Sequence, residues 1–198
     1  VDAGEELGYL LGAMDEDGAR VGGDLNAEES AWSKIATALP TNQGAGASAA
    51  VDFELDAGQT RTVRFVLAWY KRSLIVNGWQ QYIHAYASRF ANVTAVAAKV
   101  GREHESLLKR IISWQEAVYG EESLQDWLRD CLVNNFHLIT KDSFWESNSV
   151  PEEDWAREHG MFSMVESIRT CPGQACIPSD WFGNLQIVYF FPELAHST

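Results

Sequence analysis

Two carboxylates near the end of the chain have residue types and a spacing that suit glycosyl chemistry. Glu166 follows the short apolar run 161–165, and Asp180 stands at the start of a second apolar stretch, with a loop of Cys, Pro and Gly between them. Glycosidic-bond hydrolysis uses two carboxyl groups, because one stabilises or attacks an oxocarbenium-like centre while the other transfers protons. The pair therefore indicates a candidate sugar-processing site.

Each carboxylate also has an ordinary structural interpretation. Asp180 or Ser179 can cap a final helix that ends near Pro192, and a capping carboxylate satisfies helix N–H groups without touching a substrate. From spacing alone, this role explains Asp180 better than catalysis does. Glu166 can equally be an exposed loop carboxylate.

The first part of the chain reads as β-structure with many turns. Alternating apolar and polar residues predict a strand at 51–55, and a run rich in β-branched and aromatic residues predicts another at 62–69. Together they resemble the closing strands of a β-sandwich. Asp15, Asp17 and Asp24 lie in Gly-containing turns, but they lack the spaced ligands and closing Glu of an EF-hand loop. We therefore predict solvated turns and no metal site there.

Beyond Asn77-Gly78 the apolar period changes from two to about 3.6, which predicts helices. We expect three of them, at 79–100, 103–119 and 123–141, with Gly101 and Gly120 ending the first two and Ser123 capping the third. After these helices we expect an irregular loop over about 144–160 and a short strand at 161–165 that leads into Glu166.

Composition narrows the classes of function. The chain has 198 residues and a net charge of −13, and its 15 Lys and Arg residues are scattered, which excludes a typical nucleic-acid surface. No apolar stretch reaches membrane-spanning length and no secretion signal is visible, so we expect a cytoplasmic location. Cys131 falls on a predicted helix; Cys171 and Cys176 flank a Pro-Gly turn and can pair, although free thiols are the favoured interpretation.

Four segments, taken in order, resemble glycoside hydrolase family 116. They are Val63-Arg-Phe-Val-Leu-Ala-Trp69, Leu124-Gln-Asp-Trp-Leu-Arg-Asp-Cys-Leu-Val-Asn-Asn135, 160–166 and 180–194, and the likeness covers nearly all of the chain from about residue 50. This family contains bile-acid β-glucosidases, also called non-lysosomal glucosylceramidases, and bacterial β-glucosidases and β-xylosidases. The resemblance implies an α+β multidomain fragment: 1–76 as the end of an N-terminal β-sandwich and 77–198 as the start of an (α/α)6 toroid.

The resemblance also implies roles for the two carboxylates. Glu166 corresponds to the catalytic nucleophile of a retaining enzyme, and Asp180 to a carboxylate that binds sugar hydroxyls in the −1 subsite. The connection 171–178 is a few residues longer than is usual in the family. The general acid/base is an Asp that falls beyond Thr198, so we expect these residues alone to be inactive. The implied substrate is a β-glucoside or a related glycoside, including glycolipids, and no cofactor is implied.

Two other classes of function stay open at this point. The chain can be a non-catalytic carbohydrate-binding or interaction module that uses exposed aromatic residues for sugar contact. It can also belong to another (α/α)6 enzyme, an inverting hydrolase or a phosphorylase, in which Glu166 would be a base or a binding group.

Overall fold

The computed structural model describes residues 7–26, 29–41, 46–76, 80–141, 143–147, 160–167, 171–174 and 177–196. The chain divides into two compact units, one comprising Val1–Lys71 and Phe90–His104, the other Arg72–Arg89 and Glu105–Thr198. The long helix α1 (Val93–Tyr119) thus contributes residues to both units. The domain boundary after residue 76 stays a prediction.

The first unit contains two antiparallel strand pairs. Its strands are β1 (Gly8–Met14), β2 (Arg20–Gly22), β3 (Ser48–Ala50) and β4 (Arg64–Tyr70). β1 pairs with β4 and β2 pairs with β3. The strand predicted at 62–69 is confirmed as β4. The strand predicted at 51–55 is wrong, because β3 ends at Ala50. Residues 51–55 are mostly exposed and do not pair with another strand.

The β1–β4 ladder has one covered and one exposed face. On the covered face Ala68 and Tyr70 are buried, and the Tyr70 hydroxyl donates to the carbonyl of Phe90 at 2.9 Å. Gly8 lies on the same face, against Val93 at the start of α1. The exposed face carries three apolar cross-strand pairs: Tyr9 with Trp69, Leu11 with Leu67, and Ala13 with Phe65.

The second unit adds the remaining strands and helices. In chain order these are β5 (Ser73–Val76), β6 (Gln80–Ile83), the second part of α1, α2 (Asp126–Asn134), α3 (Phe136–Lys141), β7 (Ser143–Glu146), β8 (Met161–Ser167), β9 (Cys171–Gln174), α4 (Ile177–Phe190) and α5 (Pro192–His196). β5 and β6 form an antiparallel hairpin, and β7, β8 and β9 form an antiparallel sheet in that order. An isolated bridge between His84 and Glu146 links the residue after β6 to the end of β7.

The helix predicted at 79–100 is wrong over 80–92 and right over 93–100, which belong to α1. Residues of β6 pair with β5, with Val76 opposite Gln80, and α1 begins only at Val93. The Asn77-Gly78 pair is a hairpin signal, which explains why strands flank it. Tertiary strand pairing therefore outweighed the helical spacing of the apolar residues.

The predicted helix ends are right at one glycine and wrong at another. α1 runs through Gly101, whose cost in a helix interior, about 1 kcal/mol, is small beside the gain from a packed helix face. Gly120 follows the last residue of α1, as predicted, and its N–H bonds the Glu116 carbonyl at 2.9 Å.

The helix predicted at 123–141 is two helices. α2 begins at Asp126, so Ser123 does not cap it; the Ser123 hydroxyl instead donates to the Glu121 carboxylate at 2.7 Å. α2 ends before Asn135, and α3 starts again one residue later. The strand β7 also replaces the beginning of the loop predicted at 144–160, of which residues 148–159 lie outside the described part of the chain.

Two buried clusters hold the second unit together. Val118, Leu132 and Val133 join α1 to α2, with Trp114 and Phe190 packed against them. Phe162 and Met164 of β8 and Ile187 of α4 form the second cluster. The chain is thus a mixed α+β protein built from small antiparallel sheets and helices, and its described residues form neither a closed sandwich nor a toroid. No helix within the described ranges is long and apolar enough to cross a membrane.

Candidate functional site

The strand predicted to lead into Glu166 is confirmed as β8. Phe162, Ser163 and Met164 along it are each at most 5% exposed, and β7 pairs with it from Ser143 opposite Met164 to Glu146 opposite Met161. A strand with buried side chains on both faces is rigidly placed. The backbone of Glu166 therefore belongs to a core element and not to a loop.

The pairing of β8 becomes irregular at Glu166. Val165 lies opposite Gln174 and Ser167 opposite Cys171, so Glu166 faces the two residues Pro172 and Gly173. Proline has no N–H to donate to a strand ladder, and extra residues of this kind make a β-bulge. Bulges occur often beside active sites because they redirect a side chain. The longer 171–178 connection noted in the sequence begins at this bulge.

Asp180 lies inside a helix, so its predicted capping role is wrong. α4 begins at Ile177, three residues before Asp180 and two before Ser179. Pro178 suits the first turn, where a missing N–H leaves no hydrogen bond unmade. The helix ends at Phe190, before Pro192, as predicted. With the capping explanation removed, Asp180 is an acidic residue in the first turn, where the helix dipole favours negative charge.

β8 and α4 touch next to the two carboxylate positions. A Cβ atom at Gly183 would overlap the Sδ and Cε atoms of Met164, so the strand and helix approach as closely as glycine allows. Glu166 is two residues from Met164, or about 7 Å along a strand. Asp180 is three residues from Gly183, or about 4.5 Å along a helix. The fold thus brings together the two elements that carry the predicted site residues.

Sequence analysis missed a buried carboxyl group on the neighbouring strand. Glu146, at the end of β7, is fully buried and is the bridge partner of His84. The His84 ring stacks on Tyr86 with centroids 4.9 Å apart and lies 4.6 Å from the Phe144 ring. Phe144 and Glu146 are two residues apart and therefore share the buried face of β7. This spacing was the signal in the sequence that could have indicated the burial of Glu146.

A second buried polar group supports the helix that carries Asp180. Gln186 of α4 is fully buried, and its Nε2 donates to the carbonyl of Asn135 at 3.2 Å. Asn135 is the residue at the break between α2 and α3, and its own Nδ2 lies 2.9 Å from Cys131 Sγ. The amide of Gln186 therefore ties α4 to this helix break.

Three described residues, Glu121, Asp52 and Arg20, have shifted pKa values. Hydrogen bonds from the side chain and backbone of Ser123 lower the pKa of Glu121, and the hydrogen bond from Arg20 lowers the pKa of Asp52. Within the described ranges, no group of three His, Cys, Asp or Glu side chains is arranged to hold a metal ion. Cys131 carries a free thiol, and Cys176 lies outside the described residues.

Comparison of the chain with protein-family models and with curated proteins finds no match.

Proposed function

We propose that the chain is part of a retaining β-glycosidase that hydrolyses terminal β-glucosides. The observation that carries the proposal is that Glu166 lies on a buried strand in contact with the helix that contains Asp180. The resemblance of these segments to family 116 supplies the chemistry. The contact supports it because both residues must reach one sugar ring.

In this mechanism Glu166 attacks the anomeric carbon and the aglycone leaves, which gives a covalent glycosyl-enzyme that water then hydrolyses. A second carboxyl group first protonates the leaving oxygen and later removes a proton from the water. In retaining enzymes it lies roughly 5 Å from the nucleophile. The resemblance assigns this role to an Asp outside the segment matched here. Asp180 binds sugar hydroxyls and orients the ring.

The proposed architecture is the end of a β-sandwich followed by the first helices of an (α/α)6 toroid. The exposed apolar face of β1–β4 supports the first part, because a sandwich sheet packs such a face against a second sheet. The succession of α1, α2, α3 and α4 supports the second part.

Covalent labelling tests the proposal in the polypeptide that carries this chain. An activated 2-fluoro-glucoside should form a stable adduct, and peptide mass spectrometry should locate it on Glu166. Glu166→Ala should abolish turnover of an aryl β-glucoside, and added azide should restore part of it with an inverted product. Glu122→Ala is the control, because this residue lies in the turn before α2 and should keep full turnover.

Three results would contradict the proposal. An adduct on another residue would remove Glu166 from the nucleophile role. An inverted natural product would assign the chain to an inverting (α/α)6 enzyme, and activity that requires phosphate would assign it to a phosphorylase.

The exposed face of β1–β4 favours one second candidate, a carbohydrate-binding module. Tyr9 and Trp69 face each other across the ladder and are 65% and 60% exposed. Adjacent exposed aromatic rings can stack on the apolar face of a pyranose. Titration with cello-oligosaccharides should then change tryptophan fluorescence in the native chain and not in Trp69→Ala. Reversible binding without a covalent adduct would favour this candidate.

A further inference from the structure

A groove of about 880 Å³ lies between helices of the second unit. It is lined by α1, by the α2–α3 segment and by Phe191. Its floor is aromatic: Phe136 lies 4.9 Å from Trp114 and 5.5 Å from Phe190 between ring centroids. Since Trp114 also packs on the buried Val118–Leu132–Val133 cluster, the floor is fixed by the core.

The groove presents two sets of side chains. Leu107, Arg110, Ile111 and Trp114 follow the spacing i, i+3, i+4, i+7 along α1 and cover about 10 Å, or two helical turns. The other wall is formed by Val133 of α2 and by Phe136, His137 and Thr140 of α3, on either side of the helix break at Asn135. Ile111 and Phe191 are 53% and 42% exposed, so apolar groups at the rim face water. Two helical ridges with an apolar channel between them fit a third helix.

The groove differs in charge from the rest of the chain. The lining residues that the structure describes include Lys109 and Arg110 and no carboxylate, although the chain as a whole has a net charge of −13. Neither Lys109 nor Arg110 forms an ion pair with a carboxylate in the described part of the chain. Repulsion from distant acidic residues is screened beyond about 8 Å at physiological salt, so the local positive charge decides what binds.

We propose that this groove docks an amphipathic helix of a partner protein. The apolar stripe of that helix fills the channel over Trp114 and Phe136, and its acidic flank faces Lys109 and Arg110. The lining argues for this partner because an apolar floor alone would accept any hydrophobic helix, whereas the unpaired cations select an acidic one. The test of the groove uses neither Glu166 nor Asp180, so its outcome is distinguishable from that of the glycosidase tests.

The test uses the full chain and a fluorescein-labelled, stapled helical peptide of about 15 residues, long enough for the two-turn channel. Its apolar stripe is Leu at i, i+3, i+4 and i+7, and Glu occupies one flank; a matched peptide carries Lys in place of Glu. Fluorescence anisotropy should show saturable binding of the Glu peptide, weakening as salt rises, and at least about tenfold weaker binding of the Lys peptide.

Two pairs of variants locate the binding site. Arg110→Glu should weaken binding about tenfold. The control is Arg102→Glu, because Arg102 is an exposed residue of α1 outside the groove lining. It should leave binding unchanged, although both substitutions lower the net charge by two units. Ile111→Asp should abolish binding, and Leu108→Asp, at a 57% exposed position outside the lining, should not. All four positions are exposed, and matching far-UV circular dichroism spectra check that the variants fold.

Four outcomes would overturn the proposal. The first is equal binding of the Glu and Lys peptides, and the second is an equal effect of Arg110→Glu and Arg102→Glu on binding. The third is saturable binding of decanoate without binding of the Glu peptide. The fourth is a dimer, seen by sedimentation, that Arg110→Glu dissociates. The third would assign the groove to a small anionic amphiphile, and the fourth to a second copy of this chain.

Discussion

Replacing Gly160 with Ala should destabilise the second unit because two separate requirements meet at this residue. Its φ is +76°, in the left-handed region that side chains rarely adopt. A Cβ atom there would also overlap the backbone carbonyl of Glu146 and lie 3.3 Å from Trp145 Nε1. A backbone carbonyl inside a strand pair cannot swing away as a flexible side chain can.

Two other glycines separate these effects. Gly58 has a φ of +84° with open space around its Cβ position, and Gly18 has open space and no left-handed φ. Gly18→Ala should be neutral or stabilise by up to about 1 kcal/mol. Gly58→Ala should cost about 1–2 kcal/mol, the price of a left-handed residue. Gly160→Ala should cost a further 1–3 kcal/mol or so for the overlap, about 2–5 kcal/mol in total.

Urea unfolding of the three variants measures these free energies, with far-UV circular dichroism and tryptophan fluorescence as signals. If the two compact units unfold in separate transitions, each variant is compared with the wild-type transition of its own unit. The reasoning fails if Gly160→Ala costs no more than Gly58→Ala. Since β8 also carries Glu166, Gly160→Ala should reduce the proposed glycosidase activity more than Gly58→Ala does.

Three further perturbations follow from the hydrogen bonds. Gln186→Leu keeps most of the side-chain volume but removes the side-chain donor to the Asn135 carbonyl. The free energy of unfolding in urea should therefore fall by about 1–3 kcal/mol. An unchanged urea midpoint would show that this hydrogen bond contributes nothing to stability. Asn92→Ala removes the acceptor at the start of α1 and should cost about 1 kcal/mol, with Asn92→Asp as the control that retains it. The Asp52 pKa is lowered by Arg20, so the stability from this pair is complete above the ordinary aspartate pKa of about 3.9 and is lost as pH falls through the folded-state pKa. The difference in urea midpoint between wild type and Asp52→Asn should therefore be largest at neutral pH and close in acid; a constant difference would contradict this pairing.

Local sequence signals determined the elements whose patterns had no competitor. The β-branched and aromatic residues at 62–69 predicted β4, and the short apolar run 161–165 predicted β8, because such residues suit a half-buried or buried strand. The end of α1 at Gly120 and the end of α4 before Pro192 followed from the chemistry of glycine and proline. Glu166 and Asp180 were identified from sequence and from a resemblance, and their roles stay predictions.

Tertiary contacts decided the rest. The apolar residues of β6 have helical spacing, but β6 pairs with β5. β7 was predicted as a loop, but it pairs with β8. The local sequence of a strand does not show which other strand it will pair with. The break at Asn135 lies where Gln186, 51 residues further along the chain, donates to its backbone carbonyl. The sequence by itself therefore supplied two carboxylates, Glu166 and Asp180, whose roles stay predictions. Only the packing of Met164 against Gly183 decided that their elements meet, because close approach depends on two shapes fitting at once.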